Sequence, residues 1–455
     1  MSFVHKNNLI EDTIAAIATP IGDGAIAIVR ISGKEAFKIA NSIFSRDVFA
    51  LKSHFAAYGK ILNKNKETVD HVLLIPMKGP KSYTGEDSVE IHCHGGRFIT
   101  KAVLDVVLNE GARAADPGEF SLRAFRNGKM DLSQAEAVQS LIAAKSKQSY
   151  FAAKNQLEGM LSKKIKHFQE SLIDIAAILE AWVDFPEEDL EFEAFDSVIS
   201  RIDIILSKMK ELAKTFHHGK KIHEGISICL IGAPNVGKSS LMNLLLRKER
   251  AIVSEIEGTT RDTIEEDCLI DDFQIKLVDT AGIRDTDELI EKEGIKRSIE
   301  ASKKADVIFY LLDATKKISD KDIETIKSLE EEKTIVIQNK CDLKNPIKLD
   351  FPAVVNISVL KEEKINELID VLKEKLKNKD LDNSNVVLTQ YRHKNALEKS
   401  IKLLENVTSG LRNKTSAEFV SFDMRDALKE LGTIIGMDVT EDILSAIFSK
   451  FCLGK

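Results

Sequence analysis

Cysteine is scarce and scattered: Cys93, Cys229, Cys268, Cys341 and Cys452 are the five in 455 residues, and none makes a C-x-x-C pair. That spacing argues against both a zinc site and a disulfide framework. No charge-free apolar run is long enough to span a bilayer. Residues 1–12 carry charges at both ends and too short an apolar core for a signal peptide, so the expectation is a cytoplasmic protein with no membrane association. An excess of positive charge is missing too: 65 Lys and Arg stand against 72 Asp and Glu, a net charge of −7, which disfavours unaided binding to a polyanion such as RNA. What the chain does have is 43% hydrophobic residues over a length suited to roughly three packed domains.

Five segments in fixed order form a guanine-nucleotide switch. Gly232-Ala-Pro-Asn-Val-Gly-Lys-Ser239 lies between an apolar run, Ile226 to Ile231, and the helix-like stretch that begins at Ser240. Asn235, Val236 and Gly237 belong to a loop whose N–H groups can close around a β-phosphate, Lys238 neutralises its charge, and the Ser239 hydroxyl is placed for Mg²⁺. Gly258-Thr-Thr-Arg-Asp262 supplies a hydroxyl, that of Thr260, to complete the magnesium shell when a γ-phosphate is present. Ile275 to Asp279 reads as a strand leading into Asp279-Thr280-Ala281-Gly282, the second switch. After the strands Val307 to Leu312 and Thr334 to Gln338 comes Asn339-Lys340-Cys341-Asp342. Asp342 can accept hydrogen bonds from N1 and N2 of guanine, and an unpaired carboxylate there would reject adenine. Ser358-Val359-Leu360 fits the last base-contacting loop.

One catalytic part is absent. Ras-like switches place a water-orienting glutamine directly after the D-x-x-G segment, but that position is Ile283. Asp285, Asp287, Glu288, Glu291 and Glu293 are the nearby acids, and spacing does not choose among them.

Residues 1 to about 118 mix strand-like runs (Ala25 to Ile31, Val72 to Pro76) with helical ones (Glu35 to Ile43, Thr100 to Leu108), an α+β pattern. From Ser133 the pattern turns helical, with Ser133-x-x-Glu136 as a capping-box candidate. A second helical stretch runs from Phe195 to Phe216, and residues 217–225 read as a polar hinge. In His92-Cys93-His94 a strand would turn both histidines one way and the cysteine the other, which favours structure over a metal site.

The chain resembles the MnmE (TrmE) family of tRNA wobble-uridine modification GTPases. The likeness rests on the switch motifs together with residues 19–33, Tyr83-Thr-Gly-Glu-Asp87, His94-Gly-Gly96, Pro117-Gly-Glu-Phe120, Arg123-Ala-Phe125, residues 129–136 and Cys452-Leu-Gly-Lys455. The resemblance implies an α+β folate-binding domain at 1–118, a helical domain in two pieces at 119–220 and 379–455, and an α/β Ras-like GTPase domain at 221–378 inserted between them. It implies that Arg30, Glu90, Lys129 and Lys455 contact a tetrahydrofolate derivative in the 5-formyl or methylene form, and that Cys452 is needed for the modification. It implies K⁺ at Asn235 with Ser254, Ile256 and Thr259, the potassium loop being Ser254-Glu255-Ile256-Glu257, and a water-orienting role for Glu291. Implied partners are GTP or GDP, a second copy of the chain, tRNA, and a flavoprotein of the MnmG (GidA) type, which alone would bring FAD. The competing expectation is a ribosome-assembly GTPase of the Era or Der type. That class would carry a basic RNA-binding appendage, and this chain has none.

Overall fold

Alternation along Gly24–Ser32 buries Ala27, Val29 and Ile31 and turns Ile26, Ile28 and Arg30 to the other side, the two-residue period of a sheet with one packed face. This is β2 of a six-stranded sheet ordered β3-β4-β5-β2-β1-β6, built from β1 (Ile14–Ile17), β3 (Ala57–Leu62), β4 (Thr68–Met77), β5 (Ser88–Gly95) and β6 (Arg113–Ala114). Only β1 and β6 run parallel. Helices α1 (Ala36–Ile43) and α2 (Arg97–Asn109) lie in sequence between these strands, and their Ile39, Ile43, Val103 and Val107 join the core made by the buried residues of β2, β4 and β5. In β5 Cys93 is buried in that core, while His92 is half-buried and His94 exposed, as strand alternation requires.

The computed structural model describes residues 12–20, 22–184, 195–248, 264–270, 273–279, 302–303, 305–376, 386–452 and 454. Its contacts divide the chain into two compact units: Met1–Ile142 with Gln156–Met209 and Asn395–Lys455, and Ala143–Asn155 with Lys210–Lys394.

The first unit continues into helices. α3 (Glu119–Arg126) is followed by α4 (Leu132–Ala143), whose capping box is Asp131-x-x-Gln134: the Gln134 N–H donates to Asp131 Oδ1 and the Asp131 N–H donates to Gln134 Oε1, both at 3.0 Å. The cap expected at Ser133 is therefore two residues too late; Ser133 and Glu136 are buried within the helix. The helical run to Asp184 is three helices, with α5 (Lys147–Leu157) and α6 (Met160–Asp184) separated at Gly159. In the same unit Glu180 of α6 holds Ser421 and Arg425 of a late helix, Ala417–Ile435.

The second unit holds a six-stranded sheet ordered β12-β11-β10-β7-β9-β8, parallel except for β8 (Ile264–Ile270) against β9 (Phe273–Asp279). Its strands β7 (Ile226–Gly232), β10 (Val307–Asp313), β11 (Thr334–Asn339) and β12 (Val354–Asn356) coincide with the apolar runs of the sequence. Every residue of β10 and β11 is buried, as expected of central parallel strands covered on both faces. The polar hinge expected at 217–225 is a helix, Phe216–Glu224, ended by Gly225. Gly219 lets that helix meet the return segment closely, since a Cβ there would sit 2.1 Å from the Leu388 carbonyl oxygen.

Candidate functional site

The carboxyl ends of β7, β10 and β11 converge on one corner of the second unit, where ligands bind in open α/β sheets. The loop after β7 turns through left-handed Asn235 (φ 63°) and Gly237 (φ 105°) before the helix Lys238–Lys248 begins. Gly237 is needed twice over: its φ suits glycine, and a Cβ would fall 2.2 Å from Asn339 Nδ2. Lys238 Nζ donates to the carbonyl oxygens of Gly232 (2.7 Å) and Ala233 (2.9 Å), and Ser239 is exposed in the first turn. A loop of N–H groups at a helix start, a lysine held across its mouth and a hydroxyl beside it form a site for phosphate and Mg²⁺.

Asn339, buried at the end of β11, ties three loops together. Its Nδ2 donates to the Val236 carbonyl (2.8 Å), while its Oδ1 accepts from the N–H of Lys340 (2.8 Å) and of Val359 (3.1 Å). Lys340, left-handed at φ 66°, donates through Nζ to the Asn235 carbonyl (3.0 Å) and to Asp313 Oδ2 (2.6 Å). The loop that begins at Asn339 thus comes ready fixed to the loop after β7. Asp342 is half-buried beside it, Ser358 is buried and accepts from the Lys361 N–H, and Leu360 is exposed.

A second cluster occupies the first unit. Arg30 and Glu90 are register partners across β2 and β5; Arg30 Nη2 and Nε both donate to Glu90 Oε1, at 2.8 and 3.0 Å. The guanidinium carbon lies 5.6 Å from the Tyr83 ring centre and 5.7 Å from that of Phe120, within cation–π range. Burial raises the Tyr83 pKa, against the lowering effects of its bond with Ser121 and of Arg30. The Gly454 carbonyl accepts from Arg30 Nη1 at 3.4 Å. Gly454 is left-handed at φ 87°, and a Cβ would lie 2.3 Å from the Ile17 carbonyl oxygen. That close fit brings Gly454 up to the Arg30–Glu90 pair, and Cys452, two residues earlier, is exposed. Lys129, exposed, donates to the Pro80 carbonyl at 2.9 Å.

Residues 13–129 match the family description "GTP-binding protein TrmE N-terminus", and residues 132–452 match "MnmE helical domain". A tRNA modification GTPase MnmE of Protochlamydia amoebophila (strain UWE25) is 51% identical over 460 residues, covering 100% of both chains. This chain belongs to the MnmE family of tRNA modification GTPases. A relative of the same name from Clostridioides difficile (strain 630) is 43% identical over 458 residues, covering 98% of this chain and 100% of its own. The crystal structure of an Aquifex aeolicus Era variant bound to GDP and tetrafluoroaluminate is 25% identical over 39% of this chain and 66% of that one, with a TM-score of 0.27.

Several motifs of the MnmE resemblance are spent on a partly buried ion cluster. Arg123, 6% exposed, donates to Asp12, Glu86 and Glu119, and Arg113 donates to Asp12 and Glu119. Glu86 Oε2 also accepts from the Ser32 hydroxyl at 2.8 Å. Burial alone would raise the Glu119 pKa, but the hydrogen bonds from Arg113 and the Asp116 N–H and the charge of Arg123 bring it below the usual carboxylate range. His94 in turn is held by Asp70, Nδ1 to Oδ1 at 2.7 Å.

Ser254, Glu255, Ile256, Glu257, Gly258, Thr259, Thr260, Thr280, Ala281, Gly282, Glu291 and Lys455 lie outside the described residues. Asp279 ends β9, paired in register with Leu230 and Ile264. The reading of the sequence missed Tyr83 and Phe120 around Arg30, and it missed Asp313. An acid closing the otherwise apolar run Val307–Leu312 was the available signal for Asp313.

Proposed function

We propose that this GTPase acts with a flavin-dependent partner of the MnmG (GidA) type to modify carbon 5 of the wobble uridine in certain tRNAs, in the cytoplasm, as a carboxymethylaminomethyl or aminomethyl type of product. The three-part division at 118, 220 and 378 is the layout in which it would do so. The observation that carries the folate half is the convergence of Arg30, Glu90, Tyr83 and Gly454. Glu90 is 18% exposed and Arg30 17% exposed. An acid suits the donor edge of a pterin, an aromatic ring offers it a stacking face, and the cations Arg30, Lys129 and Lys455 suit a glutamate tail. A bound tetrahydrofolate derivative would supply the one-carbon unit.

In the nucleotide corner, Asp342 reads guanine, the loop at 232–239 holds the phosphates, and Ser239 with Thr260 ligates Mg²⁺. Asn235, with Ser254, Ile256 and Thr259, would hold K⁺, which supplies positive charge near the transferring phosphate where other GTPases use an arginine. What favours Asn235 is its exposed left-handed turn, fixed from behind by Lys340. Glu291 would orient the attacking water, and two GTPase domains of a homodimer would pair during the cycle. With a net charge of −7, the partner would supply much of the tRNA affinity.

Calorimetry with 5-formyltetrahydrofolate tests the folate half: the wild-type chain binds it, and Glu90→Gln weakens it about tenfold, the scale of one charge-assisted hydrogen bond. No heat from the wild-type chain, with unchanged wobble uridine in tRNA from cells lacking it, would overturn the reading. Equal GTP turnover in sodium and potassium would remove the cation assignment.

A further inference from the structure

Asp313 sits where β10 ends, opposite Asn339 in the β11 register, with its side chain 4% exposed. Its Oδ1 accepts from the Thr315 N–H (3.0 Å) and hydroxyl (2.6 Å), and its Oδ2 accepts from Lys340 Nζ (2.6 Å). The same ammonium reaches the Asn235 carbonyl at 3.0 Å. Lys340 and Asn235 both hold left-handed backbone, φ 66° and 63°, a conformation that costs energy in residues with a Cβ and persists only when surroundings enforce it. A single cation therefore joins two strained turns, one before the guanine reader Asp342 and one in the phosphate loop, and Asp313 is the anion opposite it.

We propose that Asp313 is a positioning residue for the nucleotide, clamping Lys340 so that the guanine-reading loop and the phosphate-loop turn at Asn235 are held as one frame. A fully buried acid without this partner would bear an uncompensated charge. Burial would raise its pKa, but the Lys340 and Thr315 hydrogen bonds outweigh burial and hold it at about 2, so the clamp is ionic at neutral pH. The inference goes beyond the general assignment of guanine-nucleotide binding, because it names what keeps the reading loop in register when no residue of the clamp itself need touch the base.

The test is a double-mutant cycle on the full chain, read as dissociation of a fluorescent GDP analogue. Asp313→Asn keeps the shape and removes the charge; the expected result is a Kd raised about tenfold, carried mostly by faster dissociation. Asp313→Glu, which restores the charge, should recover part of the loss. The double variant Asp313→Asn with Lys340→Met should bind no more weakly than Lys340→Met alone, since both act through one interaction. If Asp313→Asn proves unfolded by circular dichroism, the cycle runs on Asp313→Ser instead, which also removes the charge. Wild-type affinity in the charge-removing Asp313 variant, or strictly additive losses, would overturn the inference while leaving nucleotide binding intact. Failure of the unmodified chain to bind GDP would overturn both.

Discussion

The two candidate sites are built from different materials. In the nucleotide corner the parts are mainly backbone: the turns at Asn235, Gly237 and Lys340, and the carbonyls of Gly232, Ala233 and Val236. On the amino-terminal sheet the parts are side chains that meet across strands, Arg30 on Glu90, with Tyr83, Phe120 and a segment more than 400 residues further along. Backbone-built sites demand particular residue types within a few positions of each other. Sites built from side chains demand that distant segments be held in place, as Arg30 holds the Gly454 carbonyl.

If that contrast is right, the two regions should fail differently. Arg123→Ala leaves the largely buried Glu86 without its cation and Asp12 and Glu119 with Arg113 alone; the expected cost to the first unit is about 3 kcal/mol. The lone Trp182 lies in that unit and reports its denaturant unfolding, while GDP affinity should change by less than about threefold. A matching loss of nucleotide affinity would break the comparison. In the opposite direction, Gly237→Ala should lower GDP affinity at least about 100-fold, about 2.7 kcal/mol, while the Trp182 transition stays within about 0.5 kcal/mol of wild type.

Acid sharpens the contrast further. Asp313 has its pKa lowered from 3.8 to about 2 in the folded chain, so its contribution is fully present above the unfolded value and lost as pH falls toward the folded one. That shift corresponds to about 2 kcal/mol. The stability advantage of wild type over Asp313→Asn in the second unit should therefore hold down to about pH 5 and shrink below about pH 4; an advantage that grew on acidification would contradict the ion pair. Glu119, also lowered, should give the first unit the same sign of dependence. Smallest of all, Gly454→Ala should push its segment off the Ile17 carbonyl and weaken 5-formyltetrahydrofolate binding about fivefold, about 1 kcal/mol, with the Arg123 cluster and GDP affinity unmoved.

The same contrast explains what could be read from residues alone. Strands β7, β10 and β11 announced themselves as apolar runs, because a central parallel strand covered on both sides has little polar face to confuse the period. Gly237, Lys238 and Asn339 followed from spacing, since loop geometry is local. Asp313 did not: its partner is 27 positions away and its role exists only once β10 and β11 are side by side. The capping box slipped from Asp131 to Ser133 because both fit the pattern and only the helix start decides between them. Residues 217–225 looked like a hinge from their glycines and histidines, yet Gly219 serves close packing inside a helix.

The bond from Arg30 to the Gly454 carbonyl also has a bearing on biosynthesis. The sheet that carries Arg30 and Glu90 leaves the ribosome early, but the Gly454 carbonyl that Arg30 meets is translated only after the whole nucleotide-binding unit. A nascent polypeptide can thus fold its first sheet before the Arg30 cluster is complete, and completion of one candidate site is withheld until the other has been synthesised.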